Sequence, residues 1–386
     1  MAAKRLPPEA TGAFDTKGAV VPWTTFGIII FHIMAVAVVI YEIPRLPEIL
    51  SAKLIIVTVL SILLPIGGIT WTFHRGVAHV AFKWADNKRA TVMRAIGLAF
   101  GTMAFQKGPI NWAYMHIVHH KFVDQVKRFF DNVGRLVKTT SLDPHSMLRY
   151  AKWSKKHQEY RPTLRGFMYA HVFCYFFRFI APPKNGADYV EEEEKAFREA
   201  PPGEEWEARL KVRKTHWVGD LEDDRMLRFF ERFYFGFVGL RILIVTLICG
   251  WDGFLIAGIL GVVVIWNITF CINSVAHMWG DALESIGEKV NMKLITGRSK
   301  NVFGFIFAFI GEHRHFNHHL LASCAAHGWT WKEVDLTKYW IWLMEKLGIH
   351  TNVKWMRDKR KKFLADEAEY QRLKKLENHD DMSMAA

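Results

Sequence analysis

Four long, almost uncharged runs constrain this chain more than any other feature: Val20–Tyr41, Leu54–Phe73, Phe233–Gly250 and Phe254–Ile272. Each is long enough for a helix rising ~1.5 Å per residue to cross ~30 Å of hydrocarbon. Any one of them alone is equally a buried soluble helix. Four, paired by the short connections Glu42–Lys53 and Trp251–Gly253, predict two membrane hairpins. Arg241 interrupts the third run, and an intramembrane guanidinium must be paired or face protein. Length alone would suggest two or three soluble domains, but the chain is 51% hydrophobic and that content is concentrated in these blocks.

Four crossings would put everything outside the two hairpin turns on one side. Of 51 Lys and Arg, only Arg45 and Lys53 flank the far-side turns, so the positive-inside rule places that side, with both termini, in the cytoplasm. The reading is a multi-pass protein of a bacterial inner membrane or the endoplasmic reticulum. Val20–Tyr41 is too long for a cleavable signal and is taken as the first span. Residues 1–19 are then an N-terminal cytosolic tail, 20–358 one membrane domain with a cytosolic cap (74–232 and 277–358), and 359–386 a polar tail. The net charge of +13 fits this topology and anionic headgroups; no nucleic-acid-reading motif accompanies it. Cys174, Cys249, Cys271 and Cys324 are scattered without a CxxC and read as apolar filler. The acidic stretch Asp188–Glu207 reads as a solvated excursion.

Eight of the 18 histidines form three groups on the cytoplasmic side: His74 with His79, then His116, His119 and His120, then His315, His318 and His319. A ninth, His277, follows Asn273 by four. In His-x-x-His-His the rings sit at i, i+3 and i+4, on one face of a helix. His74 and His79, five apart, reach one metal only if their helix ends or bulges there. Neutral imidazole ligates zinc, copper, iron and nickel. Nine clustered rings are too many for one ion, so the count points to two metals. One such box has about even odds of being chance; three make chance improbable.

The boxes, their order and the intervening Asn273-Ser-Val-Ala-His277 resemble the membrane fatty-acyl desaturases, of the Δ9 acyl-CoA (stearoyl-CoA) desaturase type. Trp112 four residues before His116, Gly311-Glu312 before box three and Leu221-Glu-Asp-Asp224 through Tyr234 carry the likeness further. It covers roughly Val20 to Trp355, apart from insertions around Phe122–Thr140 and 184–215. The resemblance implies an all-α integral membrane fold of four transmembrane helices under a cytosolic helical cap holding a histidine-ligated di-iron centre. It implies that His74, His79, His120 and His319 hold one iron, with Asn273 acting through a water. His116, His119, His277, His315 and His318 would hold the other. Trp112, Thr269 and Phe270 would lie against the substrate. Glu312 is the best-placed carboxylate to orient a ligating imidazole, with Asp124 and Asp143 as further candidates.

The sequence departs from the family at Ile117, where Arg is usual, and at Phe270, where Trp is usual. Tyr114 and Met115 replace a charged pair, and Asp143-Pro144-His145 is displaced by the first insertion. The implied activity is O2-dependent desaturation of a long-chain saturated acyl-CoA, with a membrane acyl lipid as the second carrier. Electrons would come from a separate donor such as cytochrome b5 or ferredoxin with its reductase. A di-iron hydroxylase is the competing enzyme. A metal transporter is the competing class, but it would want ligands midway along the spans rather than at their ends.

Overall fold

The computed structural model describes residues 21–130, 136–177, 179, 181, 184, 190–287, 295–303, 311–330 and 332–384. The expected tail 1–19 lies outside them. Among the described residues, three helical runs are long and apolar enough to cross a membrane: Pro22–Ile49, Ala52–Ala78 and Tyr234–His277.

The first begins with α1 (Pro22–Glu42), opened by a proline whose missing N–H costs nothing at a helix start. Ser51 caps α2 (Ala52–Gly68) by accepting from the Leu54 amide at 3.2 Å. Pro65, which cannot donate, precedes a widening of this helix into a π-helix over Ile69–Ala78. The i→i+5 pattern of that segment supplies the bulge expected between His74 and His79, and the His79 amide donates to the His74 carbonyl at 3.0 Å. Helix α3 (Lys88–Met103), capped by Asn87, lies close against α2: Gly68 faces the backbone of Phe100 and Gly101, where a side chain would collide. Helix α4 (Pro109–Phe122) carries the second box.

Among the described residues, the insertion after α4 forms strands. Val126–Phe130 (β2) pairs antiparallel with Leu136–Ser141 (β3), Lys152–Ser154 (β4) with Glu159–Arg161 (β5), and Lys83–Trp84 (β1) with His350–Thr351 (β6). The expectation of an all-α chain is therefore corrected to a mostly helical one with three two-stranded pairs among the described residues. The strands of the insertion are rich in β-branched and aromatic residues (Val126, Phe129, Phe130, Val137, Thr139, Thr140), which favour strands. The second insertion forms α5 (Val190–Glu199) and α6 (Glu205–Glu222). Glu193 is not solvated as expected; it is buried between Arg209 (2.6 Å) and Arg213 (2.8 Å).

Helix α7 (Arg225–Arg232) leads into the third apolar run, α8 (Tyr234–Asp252), a π-helical stretch Gly253–Leu260 and α9 (Gly261–Ser274). This run is 44 residues long but not straight. Gly250 has φ +64°, and Arg241 Nη2 donates to the Ala257 carbonyl at 3.0 Å. In a continuous helix those residues would stand ~24 Å apart, so the chain folds back at Gly250, just ahead of the expected Trp251–Gly253 turn. The same bond gives the apolar-run arginine a partner. Arg45 joins the two turns, reaching Glu42 at 2.9 Å and Asp252 at 3.3 Å.

Box three occupies α10 (His315–Leu320), and α11 (Leu336–Lys346) packs on the end of α2 through Thr337 and Thr70 (3.0 Å). The expected tail boundary after 358 falls inside α12 (Arg357–Met384), whose Phe363 and Leu364 pack beside box three and whose Glu367 accepts from the Ser285 amide at 2.9 Å. The main apolar core, including Phe73, Leu98, Val118, Trp217 and Ile265, gathers where the ends of the apolar runs meet the cap, directly under the histidines.

Candidate metal centre

All nine histidines converge, in two groups. His74, His79, His116, His120 and His318 form one; His119, His277, His315 and His319 form the other. Within each group the ligand atoms lie within 4.8 Å of one another. Nε2–Nε2 separations are 3.0 Å for His74–His318, 2.8 Å for His79–His116 and 2.8 Å for His120–His318. In the second group they are 3.0 Å for His277–His315, 3.0 Å for His315–His319 and 3.3 Å for His119–His319. Two imidazoles bound ~2.1 Å from one ion at right angles stand about 3 Å apart, so the spacing suits ligands around a metal.

This grouping corrects the one carried over by resemblance: His116 and His318 join the first set, and His319 the second. The cause is helical. His116 and His120, and likewise His315 and His319, are i, i+4 pairs that stack on one face, while the residue between them is rotated by ~100°. The odd members, His119 and His318, each cross to the other helix's pair.

Three carboxylates fix the imidazoles from behind. Glu312 Oε2 takes His74 Nδ1 at 3.0 Å and His327 Nδ1 at 3.3 Å. Asp143 Oδ1 takes His119 Nδ1 at 2.9 Å, and Asp124 Oδ2 takes His277 Nδ1 at 2.9 Å. A proton held at Nδ1 leaves Nε2 as a bare lone pair, so these rings point unprotonated nitrogens at a shared centre, which calls for a cation. The same carboxylates are braced in turn. Asp143 Oδ2 accepts from the Asp124 amide (2.8 Å), and Asp124 accepts from Ser146 Oγ (2.9 Å) and the Arg298 amide (2.9 Å).

Electrostatics agree. Burial, then the neighbouring rings, hold His116, His120, His315, His318 and His319 well below the ordinary imidazole range, so they are neutral and able to ligate. Burial alone would raise Glu312, but His74 and His327 outweigh it and keep it ionised. Asp124 is likewise held well below the carboxylate range, chiefly by His277. His119 departs upward: Asp143 and Asp124 outweigh its burial. The negative charge that favours a proton there equally favours a metal.

Sequence reasoning missed the support behind Glu312. Arg75, fully buried, pairs with Asp335 through both carboxylate oxygens (2.9 and 3.1 Å) and donates to the carbonyls of Gly311 and Ala325. His327 packs against His318, ring centres 4.4 Å apart. Arg75 lies beside His74 and His327 eight residues past box three, but nothing in the sequence pairs either with Asp335. His350, isolated in sequence, is buried as an acceptor for Trp71 Nε1 at 2.8 Å.

An apolar cavity of about 450 Å³ reaches the first group. Trp112, Thr269 and Phe270 all line it, as do His116 and Asn273. Trp112 stacks on His116 (4.8 Å between ring centres), and Gln106 Nε2 donates to Thr269 Oγ1 at 2.7 Å across the wall. A small chamber of about 60 Å³ continues between His74, His116, His119 and His315. Asn273 lines both spaces, its amide donating to the Tyr175 hydroxyl at 2.9 Å.

No family model matches the chain. Curated proteins do. The Delta-9 desaturase-like 1 protein of Arabidopsis thaliana is 28% identical over 305 residues, 77% of this chain and 75% of its own. The acyl-CoA C20 Delta5-desaturase of Anemone leveillei is 26% identical over 291 residues (74% and 69%), and the sn-1 stearoyl-lipid 9-desaturase of Anabaena variabilis 25% over 291 (74% and 78%). The chain is similar to fatty acid desaturases. That similarity supports an enzyme that desaturates fatty acids, with iron and O2 implied. The relatives' names divide between acyl-CoA and acyl-lipid carriers and between positions in the chain.

Proposed function

We propose that this chain is a four-crossing membrane enzyme that uses O2 to insert a cis double bond, at position nine, into a long-chain saturated acyl group. Two irons held by the nine histidines would do so, with electrons from a separate donor such as cytochrome b5 or ferredoxin and its reductase. The observation that carries this reading is the pair of convergent imidazole groups beside an apolar cavity that reaches His116. Iron, when bound, supplies from O2 an oxidant strong enough to take hydrogen from an unactivated methylene. In balance, the acyl chain gives up two hydrogens, the donor two electrons, the medium two protons, and O2 leaves as two waters.

The protein's own share is positioning. Glu312, Asp143 and Asp124 hold Nδ1 protons so that the Nε2 lone pairs of His74, His119 and His277 stay directed inward. Trp112 and Phe270 exclude water and press an alkyl chain toward His116, and the Gln106–Thr269 bond narrows the space beside it. A fixed wall of this kind decides which methylene faces the metals. Four crossings with cytoplasmic termini are supported by the reversal at Gly250 and by Arg45, which joins the two far-side turns.

The expected carrier, acyl-CoA, is supported by the basic cytoplasmic face. A membrane acyl lipid is the second reading, favoured by the cavity's mouth, where Trp23 and Phe235 from the first turns of two apolar helices are 84% and 74% exposed. The test is metal counting on purified chain together with product analysis on stearoyl-CoA and a saturated phospholipid, supplied with reduced donor. Two irons per chain and an unsaturated product are expected. One zinc per active chain would overturn the metal assignment, and a hydroxylated product from both carriers would overturn desaturation.

A further inference from the structure

Lys107 stands in the cavity wall without a direct side-chain partner among the described residues. Among the described residues its ammonium makes no ion pair or hydrogen bond, and the nearby countercharge is Glu231, which lines the same space. The Glu231 carboxylate is already committed to the start of α4, accepting from the amides of Ile110 (2.9 Å) and Asn111 (3.2 Å). Lys107 is exposed at the edge of the cavity, where its ammonium can meet an anion. The backbone points the same way. Phe105 and Lys107 both adopt left-handed conformations, φ +60° and +75°. Glycine would take that backbone without strain, and a lysine held there marks a side chain with a task.

The place of Lys107 narrows the anion. The cavity runs outward from His116 to a mouth beside Trp23 and Phe235, the start of α1 and of α8, at the depth where lipid headgroups lie and aromatic rings collect. Along the chain toward α4, Lys107 is ~13 Å from His116 at helical rise. An extended alkyl chain advances ~1.2 Å per bond. With its ninth carbon at His116, its carboxyl end therefore comes within reach of a lysine side chain. A phospholipid places its phosphate only a glycerol beyond that point. In acyl-CoA the whole neutral pantetheine arm intervenes, and a galactolipid has no charge at all.

Resting on the desaturase reading above, we infer that the mouth formed by Lys107, Trp23 and Phe235 binds the phosphate of a membrane phospholipid, whose acyl chain enters the cavity from the bilayer. The test uses the full-length, iron-loaded chain in nanodiscs with reduced donor. Distearoyl phosphatidylglycerol, the matching distearoyl monogalactosylglycerol and stearoyl-CoA are compared as substrates. Lys107→Gln should lower the phospholipid-to-galactolipid ratio of kcat/KM by about tenfold, the loss of one charge-assisted contact, and Lys107→Arg should restore most of it. Native mass spectrometry should find phospholipid retained by the unaltered chain and lost from Lys107→Gln at equal iron content. An unchanged ratio in Lys107→Gln overturns the inference. So does turnover of stearoyl-CoA with none of phospholipid, which leaves desaturation standing. Unsaturated product from no carrier overturns the desaturase reading itself.

Discussion

The two imidazole groups are drawn from the same boxes but live in different surroundings. In the first, His79, His116 and His120 are only partly buried, the apolar cavity opens onto His116, and one carboxylate, Glu312, orients the set through His74. In the second, all four rings are buried and two carboxylates hold them, each bonded to further backbone amides. The difference teaches a division of labour: the first group faces the cavity, while the second is locked from behind.

Removing a ligand should have the largest effect and distinguish the groups least. His318→Ala and His119→Ala should each lower iron content by about one ion per chain and abolish turnover, measured by metal analysis and product formation on the same preparation. Full activity in either variant would break the assignment of that ring to a metal. Removing an orienting carboxylate should separate them. Asp143→Asn should cost metal affinity or activity toward the upper end of the ~10–100-fold range seen when such partners are lost. Asp143 anchors His119, His145 and the Asp124 amide at once, so its loss loosens the whole second group. Glu312→Gln should fall toward the lower end, since its neighbours His327 and Gly311 remain held by the Arg75–Asp335 pair. Equal losses in an iron titration of the two variants would erase the contrast.

Much of this was legible in the residues. His-x-x-His-His announces an i, i+3, i+4 face, and the apolar runs ending at His74 and near His277 announce where that face sits. Which rings share a centre was not legible, because one residue's rotation on α4 and α10 decides it, and that depends on how the helices meet. Glu312 could be named from its neighbourhood to box three. Arg75 and Asp335 could not, since their pairing spans 260 residues. The strand pair of the first insertion was missed because box spacing says nothing about what lies between Asp124 and Asp143. Yet those two aspartates, at its ends, are bonded to each other's backbone or side chain and brace the second group.

The smallest effect should come from the cavity side, where the comparison predicts altered product rather than lost metal. Gln106 and Thr269 reach across the wall from different elements, and their 2.7 Å bond fixes the width of the channel one turn from Asn273. Gln106→Ala removes that bond without touching a ligand or a carboxylate of either group. A hydrogen bond of this kind is worth about 0.5–1.5 kcal/mol, roughly a twofold to tenfold change in kcat/KM. The freed space lets the chain sit one methylene deeper or shallower, so gas chromatography of the products should show double bonds spread to neighbouring positions at unchanged iron content. A variant that instead loses iron would mean that the cavity wall and the metal groups are one mechanical unit, and the division between a cavity-facing and a locked group would fail.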